Sequence, residues 1–254
     1  MFRAIIFDKD ATLYRSARME EAWMRAMRRV FPSMGPDYAR RVKTETWRTL
    51  ETSLARDSSL SRDAFRRERE RLWHLQTPFP GIKEYLEDMP LIKVVCTADD
   101  RLATERQMTR DGLRVTTMCC GDDDGVADKP DPAGVLRLLA DMGVCVSEAC
   151  VVGDSVCDME LKSTAGLGGA IFVDATGQAD LPPDADACVR RTVDITLDML
   201  SELAHAKLGD SSETKVPLVR AGVVTPTYVK PAVVRTSHYH TKGQPGNGGT
   251  PRDT

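Results

Sequence analysis

The stretch that decides the fold is Phe2-Arg3-Ala4-Ile5-Ile6-Phe7-Asp8-Lys9-Asp10-Ala11-Thr12. An apolar run of this length, rich in β-prone residues, reads as a strand over residues 3–8 buried on both faces. It stops at two carboxylates one residue apart. Working outward, apolar runs recur at 91–96, 115–119, 150–152 and 170–173. Helical spacing covers 101–111, 132–142 and 158–165 between them. Gly112, Gly143 and Gly166 follow these helices, where a left-handed C-terminal residue is wanted. Asp131 before Pro132 makes an N-cap and first-turn pair. Strand–helix–strand alternation with short links predicts an α/β fold, a Rossmann-like parallel sheet with helices on both faces.

The chain between the first strand and the second has a different character. Residues 15–78 hold 15 Lys+Arg against 9 Asp+Glu, a net +6. Trp23, Met27, Val30 and Phe31 share one helical face, and Pro32 ends it. Tyr38, Val42, Leu50 and Leu54 suggest a second helix, and Phe65, Leu72 and Leu75 a third. Residues 15–78 are therefore expected to form a helical cap inserted into a core made of residues 1–14 and 79–204. The stretch 79–204 is acidic, with 11 Lys+Arg against 24 Asp+Glu. From residue 205 to 254 periodicity fades into Gly, Pro and Thr, which predicts a C-terminal tail, largely disordered.

Composition narrows the class. The 254 residues are 41% hydrophobic and 29% charged, with a net charge of −3. That balance argues against a general nucleic-acid binder. No apolar run approaches the roughly 20 residues of a membrane span, and the N-terminus lacks a signal-peptide pattern. Seven cysteines form no CxxC pair. Free thiols in a reducing, cytoplasmic setting are the expectation.

In an open parallel sheet, ligands bind outside the carboxyl ends of the strands. Asp8, Asp10 and Thr12 follow the first strand, Thr97 the second, and Gly153, Asp154 and Asp158 the fourth, while Lys129-Pro130 precedes a helix. Topology therefore predicts that four carboxylates, a hydroxyl and a lysine gather on one edge. Hard oxygen ligands beside an ammonium describe a Mg2+ site with an anion clamp. Taken singly, the Asp8–Asp10 pair could be a turn, Lys129 a solvated lysine and Asp154 a helix cap. Together, gathered on one edge of the sheet, they outweigh those readings. Asp99 and Asp100 read as caps of the next helix, Asp122, Asp123 and Asp124 as a solvated loop, and Cys157 as an inert thiol.

These motifs resemble those of the haloacid dehalogenase superfamily, specifically its phosphoglycolate-phosphatase-like phosphatases with a helical cap between the first and second motifs. The likeness covers roughly residues 2–200. DxDxT matches Asp8, Asp10 and Thr12; the strand-end hydroxyl matches Thr97; Lys before Pro matches Lys129; GDxxxD matches Gly153, Asp154 and Asp158. The resemblance implies that Asp8 is a nucleophile forming an aspartyl-phosphate and that Asp10 is the general acid and base. It implies Mg2+ held by Asp8, the Asp10 backbone carbonyl and Asp154. Thr97 and Lys129 would hold the phosphoryl group, with Asp158 and Thr12 behind them. The implied partner is a small phosphorylated metabolite, and the implied activity is a phosphomonoesterase. A phosphotransferase or sugar-phosphate mutase, or a non-catalytic binding protein, are the rival readings. Three positions depart from the pattern: Lys9, where the family often has a small apolar or aromatic residue, Ala11, where it has Gly, and Ala98, where Asn is common.

Overall fold

Strand β1 (Ala4–Phe7) has its four residues alternating between two apolar layers. Ile5 and Phe7 face a layer built with Ile82, Leu86, Met108, Met199 and Leu203. Ala4 and Ile6 face one built with Val135, Leu139, Met159 and Leu161. A strand with both faces covered must be apolar at every position, which is why it reads as a continuous run. The computed structural model describes residues 1–15, Arg18, Glu21, Ala22, Arg25 and residues 71–209. Of the helices expected across residues 15–78, Arg18, Glu21, Ala22, Arg25, Arg71 and Leu72 are described, all helical, and most of that expectation and the tail beyond 209 lie outside the described residues. Those described include a three-ten turn, Trp73–Leu75, at the end of that stretch.

After β1 come β2 (Tyr14–Arg15) and β3 (Thr77–Pro78), paired antiparallel with Tyr14 opposite Pro78. This ribbon ties together the two ends of the inserted segment. Helix α1 (Ile82–Asp88) leads into β4 (Ile92–Cys96), α2 (Arg101–Asp111) and β5 (Thr117–Cys119). Then come α3 (Ala133–Asp141), β6 (Ala149–Gly153), α4 (Val156–Ala165), β7 (Gly169–Val173), β8 (Ala187–Val189) and α5 (Leu197–Gly209). The sheet has the order β5-β4-β1-β6-β7-β8, with every pairing parallel.

The strands and helices expected in residues 1–14 and 79–204 are present, with small shifts. Helix α3 starts one residue later than the sequence suggests, and the Asp131 carboxylate accepts a hydrogen bond from the Ala133 N–H at 2.9 Å. Helix α4 starts two residues earlier, with Ser155 as its cap. Gly112 and Gly166 are left-handed C-caps, and Gly143, just beyond the α3 cap, is also left-handed. Strand β8 and helix α5 carry no expectation, and α5 runs past residue 204, where the core was expected to end.

The chain leaves β1 through a tight turn in which the Leu13 and Tyr14 N–H groups both donate to the Lys9 carbonyl at 3.0 Å. Within this turn Ala11 sits at φ 56°, the only non-glycine in the left-handed region among the described residues. A Cβ is costly there by about 1–2 kcal/mol, while glycine would lose about 0.5–1 kcal/mol in chain entropy. Ala11→Gly is therefore expected to raise the thermal midpoint slightly, by the equivalent of under about 1 kcal/mol. A lowered midpoint in a melting experiment would show that the Ala11 methyl packs favourably enough to outweigh its backbone strain.

Candidate active site

Strand β1 lies between β4 and β6, the place where the strand order reverses, so the ends of these three strands frame one crevice. Asp8 follows β1 and anchors there, its N–H donating to the Val152 carbonyl at 2.8 Å. Thr97 follows β4, its N–H donating to the Cys119 carbonyl at 2.9 Å. Asp154 follows β6, and Asp158 lies in the first turn of α4. Lys129, in the loop before α3, reaches into the crevice. Its Nζ donates to Asp8 Oδ1 and Asp158 Oδ1, each at 2.5 Å, and to the Cys96 carbonyl at 3.1 Å. Oxygens of Asp8, Asp154 and Asp158 all lie within 4.8 Å of one another.

Local chemistry at the start of α4 builds this corner. Ser155 Oγ accepts from the Asp158 N–H at 3.2 Å, while Asp158 Oδ2 accepts from the Ser155 N–H at 3.1 Å and the Ser155 hydroxyl at 2.6 Å. This reciprocal cap leaves Asp158 Oδ1 for Lys129. It also means that Ser155, not Asp154, caps the helix, so the Asp154 carboxylate belongs to the crevice. Gly153 permits the close approach: a Cβ there would lie 2.4 Å from Asp158 Cβ and Cγ.

One ammonium faces three carboxylates, and the electrostatics show the imbalance. Burial holds the Asp8 carboxyl well above its ordinary range; Lys129 opposes this, and Asp158, Asp154 and Asp10 add to it. Asp154 is pushed up to about 7, chiefly by burial and then by Asp158. Burial works against the charge on Lys129, but Asp158 and Asp8 overcome it and hold the ammonium well above its ordinary value. Buried carboxylates gathered this closely suit a hard divalent cation, and an all-oxygen donor set is what such a cation takes.

Asp10 lies close enough to raise the Asp8 and Asp154 carboxyls, and it has partners of its own. Its Oδ1 accepts from Lys9 Nζ at 2.9 Å and from Gln76 Nε2 at 2.6 Å. Lys9 is fully buried and also pairs with Asp99 at 2.8 Å. Asp99 is thus a buried counter-ion, which corrects its reading as a helix cap; Asp100 is the residue at the α2 cap. Asp123 departs from the solvated-loop reading too. It takes both arms of the Arg101 guanidinium, from Nε and Nη2 at 2.7 Å each, and the Cys120 N–H at 2.8 Å. Thr97 Oγ1 accepts from the Asp99 N–H at 3.2 Å. Thr12 is buried, its carbonyl accepting from the Thr192 hydroxyl at 2.7 Å, and its own hydroxyl has no partner among the described residues. All seven cysteines are free thiols. Burial pushes the Cys157 thiol up, away from the thiolate, in keeping with an inert side chain.

Comparison with known proteins places this arrangement. A family model described as haloacid dehalogenase-like hydrolase matches residues 2–161. A search of curated proteins finds no match. A candidate β-phosphoglucomutase from Thermotoga maritima is similar at 25% identity and a TM-score of 0.59, over 80% of this chain and 99% of that one. A candidate phosphoglycolate phosphatase from Lactobacillus plantarum shares 22% identity, with a TM-score of 0.58 over 80% and 99% of the two chains. CbbY from Rhodobacter sphaeroides, solved in complex with phosphate, shares 20% identity, with a TM-score of 0.62 over 79% and 100%. The latter two show likeness of fold.

Gly153→Ala tests the geometry of the crevice. The new methyl must displace Asp158 and loosen its hold on Lys129. The expected outcome is destabilisation of about 1–3 kcal/mol, as for other overpacked sites, read as a lower thermal midpoint. An unchanged midpoint would show that α4 can move aside freely.

Proposed function

This chain belongs to the haloacid dehalogenase-like hydrolases, and on that premise we propose that it is a Mg2+-dependent phosphatase of a small phosphomonoester. The observation that carries the reading is the Asp8 carboxylate at the end of β1, bonded at 2.5 Å to Lys129 with Asp154 beside it.

A carboxylate approaching a phosphate dianion is repelled, so the site must neutralise charge before it can react. Lys129 does part of this. Asp8, the Asp10 backbone carbonyl and Asp154 would hold Mg2+, which when bound supplies the remaining positive charge and polarises the phosphoryl group. An Asp8 carboxylate oxygen attacks phosphorus, the bond to the ester oxygen breaks, and an aspartyl-phosphate forms. Asp10 gives a proton to the departing alkoxide, then accepts one from the water that attacks the phosphoryl group and frees Asp8. Thr97 and Lys129 hold the equatorial oxygens. Asp158 keeps Lys129 in place, since its two oxygens are committed to Lys129 and Ser155.

The core motifs bind phosphate and offer nothing to distinguish the rest of a substrate. On this reading that role falls to the inserted segment 15–78, whose net +6 would draw anions toward the site. Substrates of the phosphoglycolate or sugar-phosphate size suit this arrangement. The likeness to a candidate β-phosphoglucomutase favours a second reading, transfer of the phosphoryl group back to a sugar.

Purified protein with Mg2+ and a panel of metabolite phosphates is expected to release inorganic phosphate. Asp8→Asn should lower kcat by at least about 10³-fold, as loss of a nucleophile does, and EDTA should abolish turnover. Phosphate release by the Asp8→Asn variant at the wild-type rate would overturn the assignment. Isomerised sugar phosphate in place of free phosphate would favour the mutase reading.

A further inference from the structure

Lys9 stands where the resemblance leads one to expect a small apolar or aromatic residue, yet it is fully buried. Its Nζ lies 2.8 Å from Asp99 Oδ2, 2.9 Å from Asp10 Oδ1, 3.2 Å from Gln107 Oε1 and 3.5 Å from Gln76 Oε1. The ammonium sits 5.4 Å from the centroid of the Tyr14 ring. The two amides complete a closed set: Gln107 Nε2 donates to Gln76 Oε1 at 2.8 Å, and Gln76 Nε2 donates to Asp10 Oδ1 at 2.6 Å. Removing an ammonium from water is costly, and the set tolerates it by surrounding Nζ with oxygens, two of them carboxylate.

This arrangement bears on Asp10. Two donors, the Lys9 ammonium and the Gln76 amide, converge on Oδ1 and occupy its lone pairs. Among the described residues neither bond that the Asp10 side chain accepts falls on Oδ2. A protonated carboxyl can carry its hydrogen on either oxygen, but on Oδ1 the proton would face two other protons. We propose that Lys9 and Gln76 are positioning residues that clamp Asp10 Oδ1, so that Oδ2 is the oxygen that gives and receives the proton. The proposal rests on the phosphatase reading and deepens it. Gln76 directly precedes β3, whereas Lys9 directly follows Asp8, so the clamp draws one arm from the end of β1 and the other from the last residues of the inserted segment. Asp99 gives Lys9 a second carboxylate partner at 2.8 Å, which helps hold the ammonium in the set.

The test compares kcat/KM, which reports the first chemical step, for two esters with Mg2+ present. Dinitrophenyl phosphate has a leaving group that departs without a proton; phenyl phosphate has one that needs it. Gln76→Met leaves the charges of Lys9, Asp10 and Asp99 in place. Lys9→Met is the stronger variant, but it strands Asp99 and can unfold the core, so each variant is first checked by thermal melting. The expected result is a loss of about 10²-fold or more on phenyl phosphate, the scale of general-acid catalysis, with dinitrophenyl phosphate turned over within a few-fold of wild type. Equal losses on the two esters, or no loss on either, in folded Gln76→Met would overturn the positioning role while leaving the phosphatase reading intact. If wild type released phosphate from neither ester, the phosphatase reading would fall, and the role of the clamp with it.

Discussion

Three carboxylates within 4.8 Å of one another, with a single ammonium among them in the described residues, are the constraint on which the rest depends. Like charges at such separations in a buried site repel strongly, and a protein holds them together only where its scaffold is rigid and a counter-charge is at hand. Burial first, and then the neighbouring carboxylates, make the carboxyls of Asp8 and Asp154 reluctant to ionise. A site of this kind is a poor place for a stable fold to spend its energy and a good place to hold a divalent cation beside an anion.

The scaffold supplies the rigidity. Asp8 leaves the central strand, fixed on both sides by parallel neighbours and on both faces by packed helices. Asp154 leaves the adjacent strand, and Asp158 is locked by the reciprocal cap with Ser155. Gly153 removes the one atom that would keep α4 from closing on the site. The apolar layers thus do more than stabilise the domain. They hold oxygens in a geometry that those oxygens, left alone, would relax away from.

Much of this was legible from residue order. Apolar runs flanked by glycine-terminated helices imply a parallel sheet, and residues at strand ends must converge whatever the loops do. That logic placed Asp8, Thr97, Lys129, Asp154 and Asp158 together without any contact information. What escaped was chemistry made by long-range side-chain pairing. Lys9 looked like a departure from a pattern, and Asp99 like a cap, because nothing in their local sequence shows that they meet in the interior. Gln76 and Gln107 carry no charge or motif to betray them. Strand β8, three residues at the sheet edge, is too short to show a period, and Ala11 hides its left-handed backbone because only glycine advertises one.

The central claim, that the carboxylate cluster is built for a divalent cation, is tested most directly by thermal unfolding of wild type and Asp154→Asn across a Mg2+ titration. The account predicts that wild type gains stability steadily with Mg2+, as a ligand binding only the folded state requires. It predicts that Asp154→Asn does not respond, and that without Mg2+ the variant melts above wild type because one repelling carboxylate is gone. A variant that melts below wild type without Mg2+, yet rises with the metal as wild type does, would contradict it.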